Sequence, residues 1–205
     1  EVPPENPTVT GQGAYKLGQF LAERARRKAG AAGDFAFFNF DLCGVGDTLI
    51  LSTANESLLE RSGLAGSTLH RQILELQETA MDIMGRVREC PFFSLETPFS
   101  DNIGLMLNQF PAVLITMLPY PEAVAYRSRL RILQQENAAR GGAGPGFLVD
   151  PASPENNRRI RAIVPRTWDR MHTDDDMVET LEENAFWLME ALLDRIAGTE
   201  LKPSR

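Results

Sequence analysis

The fold of this chain is decided by residues 34–42, which read DFAFFNFDL. Gly33 and Gly44 bound this aromatic-rich apolar run, a pattern typical of a buried β-strand. Asp41 falls at the carboxyl end of the predicted strand. Because ligands collect at the carboxyl ends of strands in open α/β sheets, we expect the Asp41 carboxylate to lie in a binding site. The alternative is a structural carboxylate that accepts hydrogen bonds from the backbone amides of Gly44 or Gly46.

The rest of the chain alternates between strand-like and helix-like patterns. Short apolar runs predict further strands at residues 48–53, 92–95 and 111–118. Apolar spacing and helix caps predict helices at residues 12–29, 67–88, 102–109, 121–140 and 180–196. The buried faces of the first and last helices are predicted to comprise Leu17, Phe20, Leu21 and Ala25, and Leu181, Ala185, Leu188, Leu192 and Ile196. Strands that alternate with helices indicate an α/β layer architecture.

Length and composition restrict the class of protein. The chain has 205 residues, of which 43% are hydrophobic and 24% charged, as expected for one globular domain. A formal net charge of −7 without a basic tract argues against a nucleic-acid partner. No apolar run approaches the roughly 20 residues that span a bilayer. The chain does not begin with Met and shows no signal peptide, so we expect a processed or truncated product. The sequence makes no prediction of its cellular compartment.

The two cysteines, Cys43 and Cys90, are too few for a disulfide framework or a zinc cluster. Both lie in apolar surroundings and are expected to be buried thiols, with a single bridge as the alternative. Residues 141–146 read GGAGPG, and the segment 141–157 is predicted to be a mobile loop. The glycine run is weak evidence for phosphate binding, because no Lys-Ser/Thr follows it.

The two histidines have different surroundings in the sequence. His172 lies in residues 168–176, WDRMHTDDD, just ahead of the last predicted helix. An imidazole among carboxylates at an element boundary favours a metal site, and a solvated histidine in an acidic helix start is the alternative. His70 has no acidic or cysteine partner at ligand spacing, so a structural or exposed role is expected for it.

Three blocks of the sequence resemble the M28 zinc aminopeptidases, which share their fold with glutaminyl cyclases. Residues 40–44, FDLCG, resemble the strand-end signature in which an aspartate ligates zinc. Residues 171–176, MHTDDD, resemble the His-Thr-x-x-Asp motif whose histidine ligates zinc. Residues 100–102 and 110–116 resemble the Ser-Asp-His segment and the Ile-Pro-Ala strand, with Asn102 in place of the histidine. The blocks follow the family's order and cover most of the chain after about Gly11.

The resemblance implies a single, partial domain over residues 1–205. Its expected architecture is a three-layer α/β/α fold with a mixed, mostly parallel sheet, similar to zinc exopeptidases and apparently without the N-terminal strands. It also implies that Asp41 and His172 ligate zinc, with one or two ions in the complete site. The implied activity is aminopeptidase-type hydrolysis of a peptide substrate by zinc-bound hydroxide. Glutaminyl cyclase activity is a further expectation for the same fold.

The front of the chain departs from the family's pattern. The family's upstream His-x-Asp pair has no counterpart, and His70 cannot supply it. Residues 12–15, QGAY, resemble the helix start that follows the family's Glu-Glu pair, which places Glu1 as the general base or a ligand. If Glu1 is the base, Val2 has replaced a ligand. The chain is therefore either part of an enzyme or an inactive M28-like scaffold that serves as a binding or structural module.

Missing strands would have a consequence for association. They would leave an apolar sheet edge unpaired, and such an edge drives pairing with another chain. A homo-oligomer or a partner fragment is therefore expected if the chain stands alone.

Overall fold

The structure, a computed structural model, describes residues 13–27, 35–87, 90–98, 100–139, 158–159, 161–170 and 173–199. The strands are β1 (Phe37–Phe40), β2 (Thr48–Ser52), β3 (Phe92–Leu95) and β4 (Ala112–Leu118). The helices are α1 (Gly13–Arg27), α2 (Ala54–Arg61), α3 (Thr68–Gly85), α4 (Asn102–Leu107), α5 (Tyr120–Ala139), α6 (Arg166–Asp169) and α7 (Glu183–Ala197). A 3-10 turn at Val178–Thr180 precedes α7. The predicted strands are confirmed to within a few residues, whereas no helix had been predicted for α2 or for α6.

The four strands form one mixed sheet in the order β1-β4-β2-β3. β1 runs parallel to β4, with Phe37 opposite Ala112, and β2 runs parallel to β3. β2 and β4 are antiparallel, with Thr48 opposite Leu118. Every residue of β2 and β4 is buried, whereas β1 and β3 form the half-buried edges of the described sheet. The prediction of a mixed, mostly parallel sheet is confirmed.

Helices cover both faces of this sheet. Because successive strand residues point to opposite faces, Leu49 and Leu51 pack with α3 and α7, while Ile50 packs with α5 and α6. The same alternation in β1 directs Phe38 and Phe40 toward α3 and α7. Asn39 and Asp41 consequently belong to the other face. The structure is the three-layer α/β/α arrangement that was expected.

The burial predicted for α1 is partly wrong. Leu17 and Phe20 were placed on its inner face, but they are 46% and 57% exposed. Gly18 is buried instead, and a Cβ there would lie 2.9 Å from the Asn108 side chain just after α4. The close approach of α1 and α4 requires small residues at the contact, so the two large apolar side chains are turned outward.

The prediction for α7 is mostly confirmed. Ala185 and Leu192 are fully buried, and Leu188 packs against the same core. Leu181, however, precedes the helix and is largely exposed. Its Cδ2 lies close to Gly44, because the backbone N–H of Glu182 donates to the Gly44 carbonyl at 2.9 Å. The start of α7 is thereby attached to the β1–β2 turn.

The predicted mobile loop at residues 141–157 and its glycine run lie outside the described residues. Among the helices that the structure describes, none has the length and apolar character needed to cross a membrane.

The β1–β2 turn predicts a strong effect for Gly46→Ala. Gly46 has φ +117, and an added Cβ would collide with the backbone carbonyl group of Leu118. We expect the free energy of unfolding to fall by about 2–5 kcal/mol, measured by chemical denaturation. The control is Gly63→Ala, where φ is +72 but a Cβ would meet nothing within 4 Å; a loss of about 1 kcal/mol is expected there. Equal losses in the two variants would contradict this account of the turn.

Candidate functional site

A cleft of about 350 Å³ opens beside the carboxyl end of β1, on the face covered by α5 and α6. Its described lining comes from four segments that are distant in the sequence. They are the end of β1 (Asp41 and Leu42), the segment after β3 (Thr97, Pro98 and Ser100), strand β4 (Leu114 and Thr116) and the region of α6 (Arg161, Val164, Trp168 and Asp169). The location agrees with the expectation that ligands collect at strand ends.

Asp41 is held at the cleft by a short polar chain. Ser100 Oγ donates to Asp41 Oδ2 at 2.5 Å, and Asn39 Nδ2 donates to Ser100 Oγ at 3.1 Å. Asn39 and Asp41 can share this partner because residues two apart in an extended strand point to the same face. Leu42 then turns the backbone with φ +56, a left-handed conformation that is strained for a leucine. The carboxylate therefore has a defined orientation where the strand ends.

The alternative role for Asp41 named the backbone amides of Gly44 or Gly46 as its donors, and for Gly46 this prediction is wrong. The Gly46 N–H donates to Glu182 Oε2 at 2.9 Å. The turn after β1 is thus attached to the beginning of α7, and Asp41 takes its hydrogen bond from the segment after β3.

The opposite wall of the cleft is held by Trp168. Its indole is buried, lies edge-on to the Tyr126 ring at 5.1 Å between centroids, and donates from Nε1 to the Met117 carbonyl at 3.2 Å. Asp169 is the next residue and also lines the cleft. Two residues separate Asp169 from His172 in the sequence. His172 and Glu1, the other predicted site residues, lie outside the described residues, so of that set the structure places Asp41 at the cleft.

Further polar groups give the cleft mixed character. Arg161 and Asp169 contribute opposite charges to its wall. Thr116 lines it as well, and its buried Oγ1 has no hydrogen-bond partner within the described part of the chain. A buried hydroxyl without a partner is uncommon, and a bound water or ligand would satisfy it.

Cys43 lies directly behind Asp41. Its Sγ is 3.4 Å from the Asp41 carbonyl and 3.5 Å from the Ile115 carbonyl. Burial, and next the charge of Asp41, raise the pKa of the Cys43 thiol from 9.0 to about 12. Cys43 and Cys90 are both free and half-buried, so the single bridge considered from the sequence is wrong.

Asn102, which stands where the resembled family has a histidine, serves the core. It is 1% exposed, and its Nδ2 donates to Asn55 Oδ1 at 2.9 Å. Asn55 Nδ2 in turn donates to the Ala112 carbonyl at 2.8 Å. Asn102 therefore connects α4 to α2 and to the start of β4, and it is not part of the described cleft lining.

The structure contains a second polar group that had not been predicted from the sequence. His70 had been assigned no acidic partner, but its Nε2 lies 3.9 Å from Glu60 Oε1, and Glu56 is adjacent. The potential ligand atoms of these three residues all lie within 4.8 Å of one another, so the group could hold a metal ion. The available signal was the spacing of Glu56 and Glu60, which places both on one face of a helix. It was overlooked because α2 itself was not predicted.

Ser100→Ala is predicted to destabilise the protein through Asp41. Removal of the hydroxyl takes a hydrogen bond from a half-buried carboxylate, so the free energy of unfolding should fall by about 1–2 kcal/mol in chemical denaturation. Ser128→Ala is the matched control, because the exposed Ser128 hydroxyl donates only to the Val124 carbonyl within α5. That variant should change stability by less than about 0.5 kcal/mol. Indistinguishable variants would contradict the role of Ser100.

The raised pKa of Cys43 predicts slow alkylation. A thiol with pKa about 12 carries roughly 1000-fold less thiolate at pH 8 than one with pKa 9.0, and the thiolate is the nucleophile. Iodoacetamide should therefore leave Cys43 unmodified in the folded protein, as followed by peptide mass spectrometry. The denatured protein is the control and should react at this residue. Equal rates in the two states would show that burial does not protect the thiol.

Comparison of the chain with protein-family models, with curated proteins and with solved structures gives no match.

Proposed function

We propose that this chain is part of a zinc-dependent metallopeptidase of the M28 aminopeptidase type. The observation that carries the proposal is the position of Asp41. Its carboxylate lies at the carboxyl end of β1 and lines the cleft. Asp169 lines the opposite wall, and His172 follows it three positions later in the sequence. Of the two blocks of sequence that resemble the family's ligand motifs, the first therefore lines the cleft at Asp41, and the second begins two residues after Asp169 along the chain.

The surroundings of Asp41 fit a metal ligand. Carboxylates that bind metals are themselves hydrogen-bonded, which orients them, and Ser100 does this for Oδ2. Asp41 and His172 would hold zinc, and Glu1 would act as base or ligand. When bound, zinc supplies polarisation of the scissile carbonyl and activation of water. A catalytic zinc generally takes three protein ligands, so the described residues supply only part of the set.

The cleft lining suits a peptide amino terminus. With Asp41 holding zinc, the Asp169 carboxylate would pair with a protonated amine, while Arg161 gives the same wall a positive charge. Leu42, Leu114 and Trp168 offer apolar surface for the first side chain of such a substrate. These residues bind and orient the substrate in the proposal.

An inactive scaffold is the second candidate. The hydrogen bond from Ser100 partly satisfies Asp41 without any cation. Asn102 is committed to the core through Asn55. A binding or structural module with the same architecture would retain both features.

Metal analysis and peptidase assays of the full-length protein separate the two candidates. Under the enzyme proposal Asp41→Asn and His172→Ala each lose the zinc bound at the cleft and reduce kcat/KM for an aminoacyl anilide by roughly 100-fold or more. Asp82→Asn is the matched control, because Asp82 is exposed on α3 and pairs with Arg86 at 2.6 Å. It should retain both zinc and activity. Wild-type protein that loses no bound zinc through Asp41→Asn or His172→Ala would reject the enzyme proposal in favour of the scaffold.

A further inference from the structure

We propose that Glu56, Glu60 and His70 form a binding site for one divalent transition-metal ion with the ligand preferences of zinc. The site joins α2 to the first turn of α3. None of the three residues is among the described residues that line the cleft at Asp41. The inference therefore stands independently of the proposed peptidase.

The backbone brings the three ligands together. Glu56 and Glu60 lie on consecutive turns of α2, so that both carboxylates share one helix face. His70 is placed by the cap of α3, where Ser67 Oγ accepts the His70 backbone N–H at 3.1 Å. Leu59 of α2 and Leu69 of α3 pack in one buried cluster, which keeps the two helices in contact. The result is a group of ligand atoms within 4.8 Å of one another.

His70 supplies the independent indication of a ligand. The residue is 7% exposed, and its buried Nε2 has no hydrogen-bond partner among the described residues. Its distance of 3.9 Å from Glu60 Oε1 is too long for a hydrogen bond. A buried polar atom left without a partner destabilises the fold, because its hydration is lost and nothing replaces it. A cation between the imidazole and the carboxylates would remove that cost.

The two carboxylates also oppose each other. Like charges four residues apart on a helix are destabilising. A divalent cation would neutralise both carboxylates at once.

Metal binding requires a change of tautomer. His70 Nδ1 accepts the Gly66 N–H at 3.0 Å, so a neutral ring carries its proton on Nε2. Coordination through Nε2 releases that proton to solvent, and Nδ1 takes one from solvent, so the ring stays neutral. The Gly66 N–H then turns to water, which is accessible because Gly66 is exposed. The loss of this one hydrogen bond is small beside the free energy that a metal ion held by three ligands contributes.

The donor set selects the class of metal. One imidazole and two carboxylates suit zinc, cobalt or manganese, whereas calcium and magnesium prefer oxygen ligands alone. Bonds of about 2.0 Å in a tetrahedral site place ligand atoms about 3.3 Å apart. The 3.9 Å between His70 and Glu60, and the separations of up to 4.8 Å within the group, must therefore shorten on binding. Glu60 can make this adjustment, since its side chain is 38% exposed. Water would take the fourth position.

The experiment titrates metal-stripped, full-length Asp41→Asn protein with Co²⁺ and Zn²⁺. That background removes a ligand of the proposed peptidase site and leaves the α2–α3 group intact. We expect one equivalent of Co²⁺ with a visible d–d absorption band, displaced by Zn²⁺, and a higher Tm with metal. Adding Glu56→Gln or Glu60→Gln should weaken binding roughly tenfold or more and abolish the rise in Tm. Glu78→Gln, an exposed change on α3, is the matched control and should bind like the background.

Two results would overturn the proposal. One is Asp41→Asn protein that binds no Co²⁺ or Zn²⁺, and the other is binding that Glu60→Gln leaves unchanged. If the Asp41→Asn protein does not fold, the wild-type protein is titrated instead. The proposal then requires that Glu56→Gln and Glu60→Gln each remove one equivalent of bound metal. A peptidase without this site would lose zinc only through Asp41→Asn and His172→Ala. An inactive scaffold with this site would lose metal only through the two glutamate variants.

Discussion

The double pairing of β4 is the constraint on which the rest of the structure depends. This fully buried strand pairs in parallel with β1 on one side and antiparallel with β2 on the other. The parallel pairing continues past β1 through the bond from the Asp41 N–H to the Ile115 carbonyl at 3.2 Å. Asp41 therefore lies beside Leu114 and Thr116, and the cleft forms where β1 ends and β4 continues.

The two polar sites are built in different ways. Three parts of the chain converge at the cleft: the end of β1, the segment that follows β3, and helix α6. Trp168 attaches α6 to the sheet by donating a hydrogen bond to the Met117 carbonyl. Between α2 and α3, two helices joined by a short turn bring their ligands together almost locally. The Asp41 carboxylate has a hydrogen-bond donor in Ser100, whereas the buried Nε2 of His70 has no hydrogen-bond partner within the part of the chain that the structure describes. Ligand chemistry is accordingly inferred for His70 from its unmet hydrogen bond and for Asp41 from its position.

Much of the fold could be read from local patterns. The run at residues 34–42 indicated β1 and the position of Asp41, and Ser67 marked the start of α3. The same patterns gave a wrong prediction for Leu17 and Phe20, which are exposed. The inner face of α1 is instead the one whose small residues allow α4 to approach closely. The acidic neighbours of His70 were not predicted either, because they lie on α2, a helix with only a weak apolar pattern.

The sequence by itself determined the strands and all the helices except α2 and α6, because alternation and caps act over a few residues. It also determined that a carboxylate ends β1. Only the tertiary structure decided which side chains meet: Ser100 with Asp41, Asn102 with Asn55, and His70 with Glu60. These contacts join residues on different elements, and their distances follow from the strand order and from helix packing. The pairing of β4 between β1 and β2 cannot be read from any one segment, because it satisfies the hydrogen bonds and buries the apolar faces of three strands together.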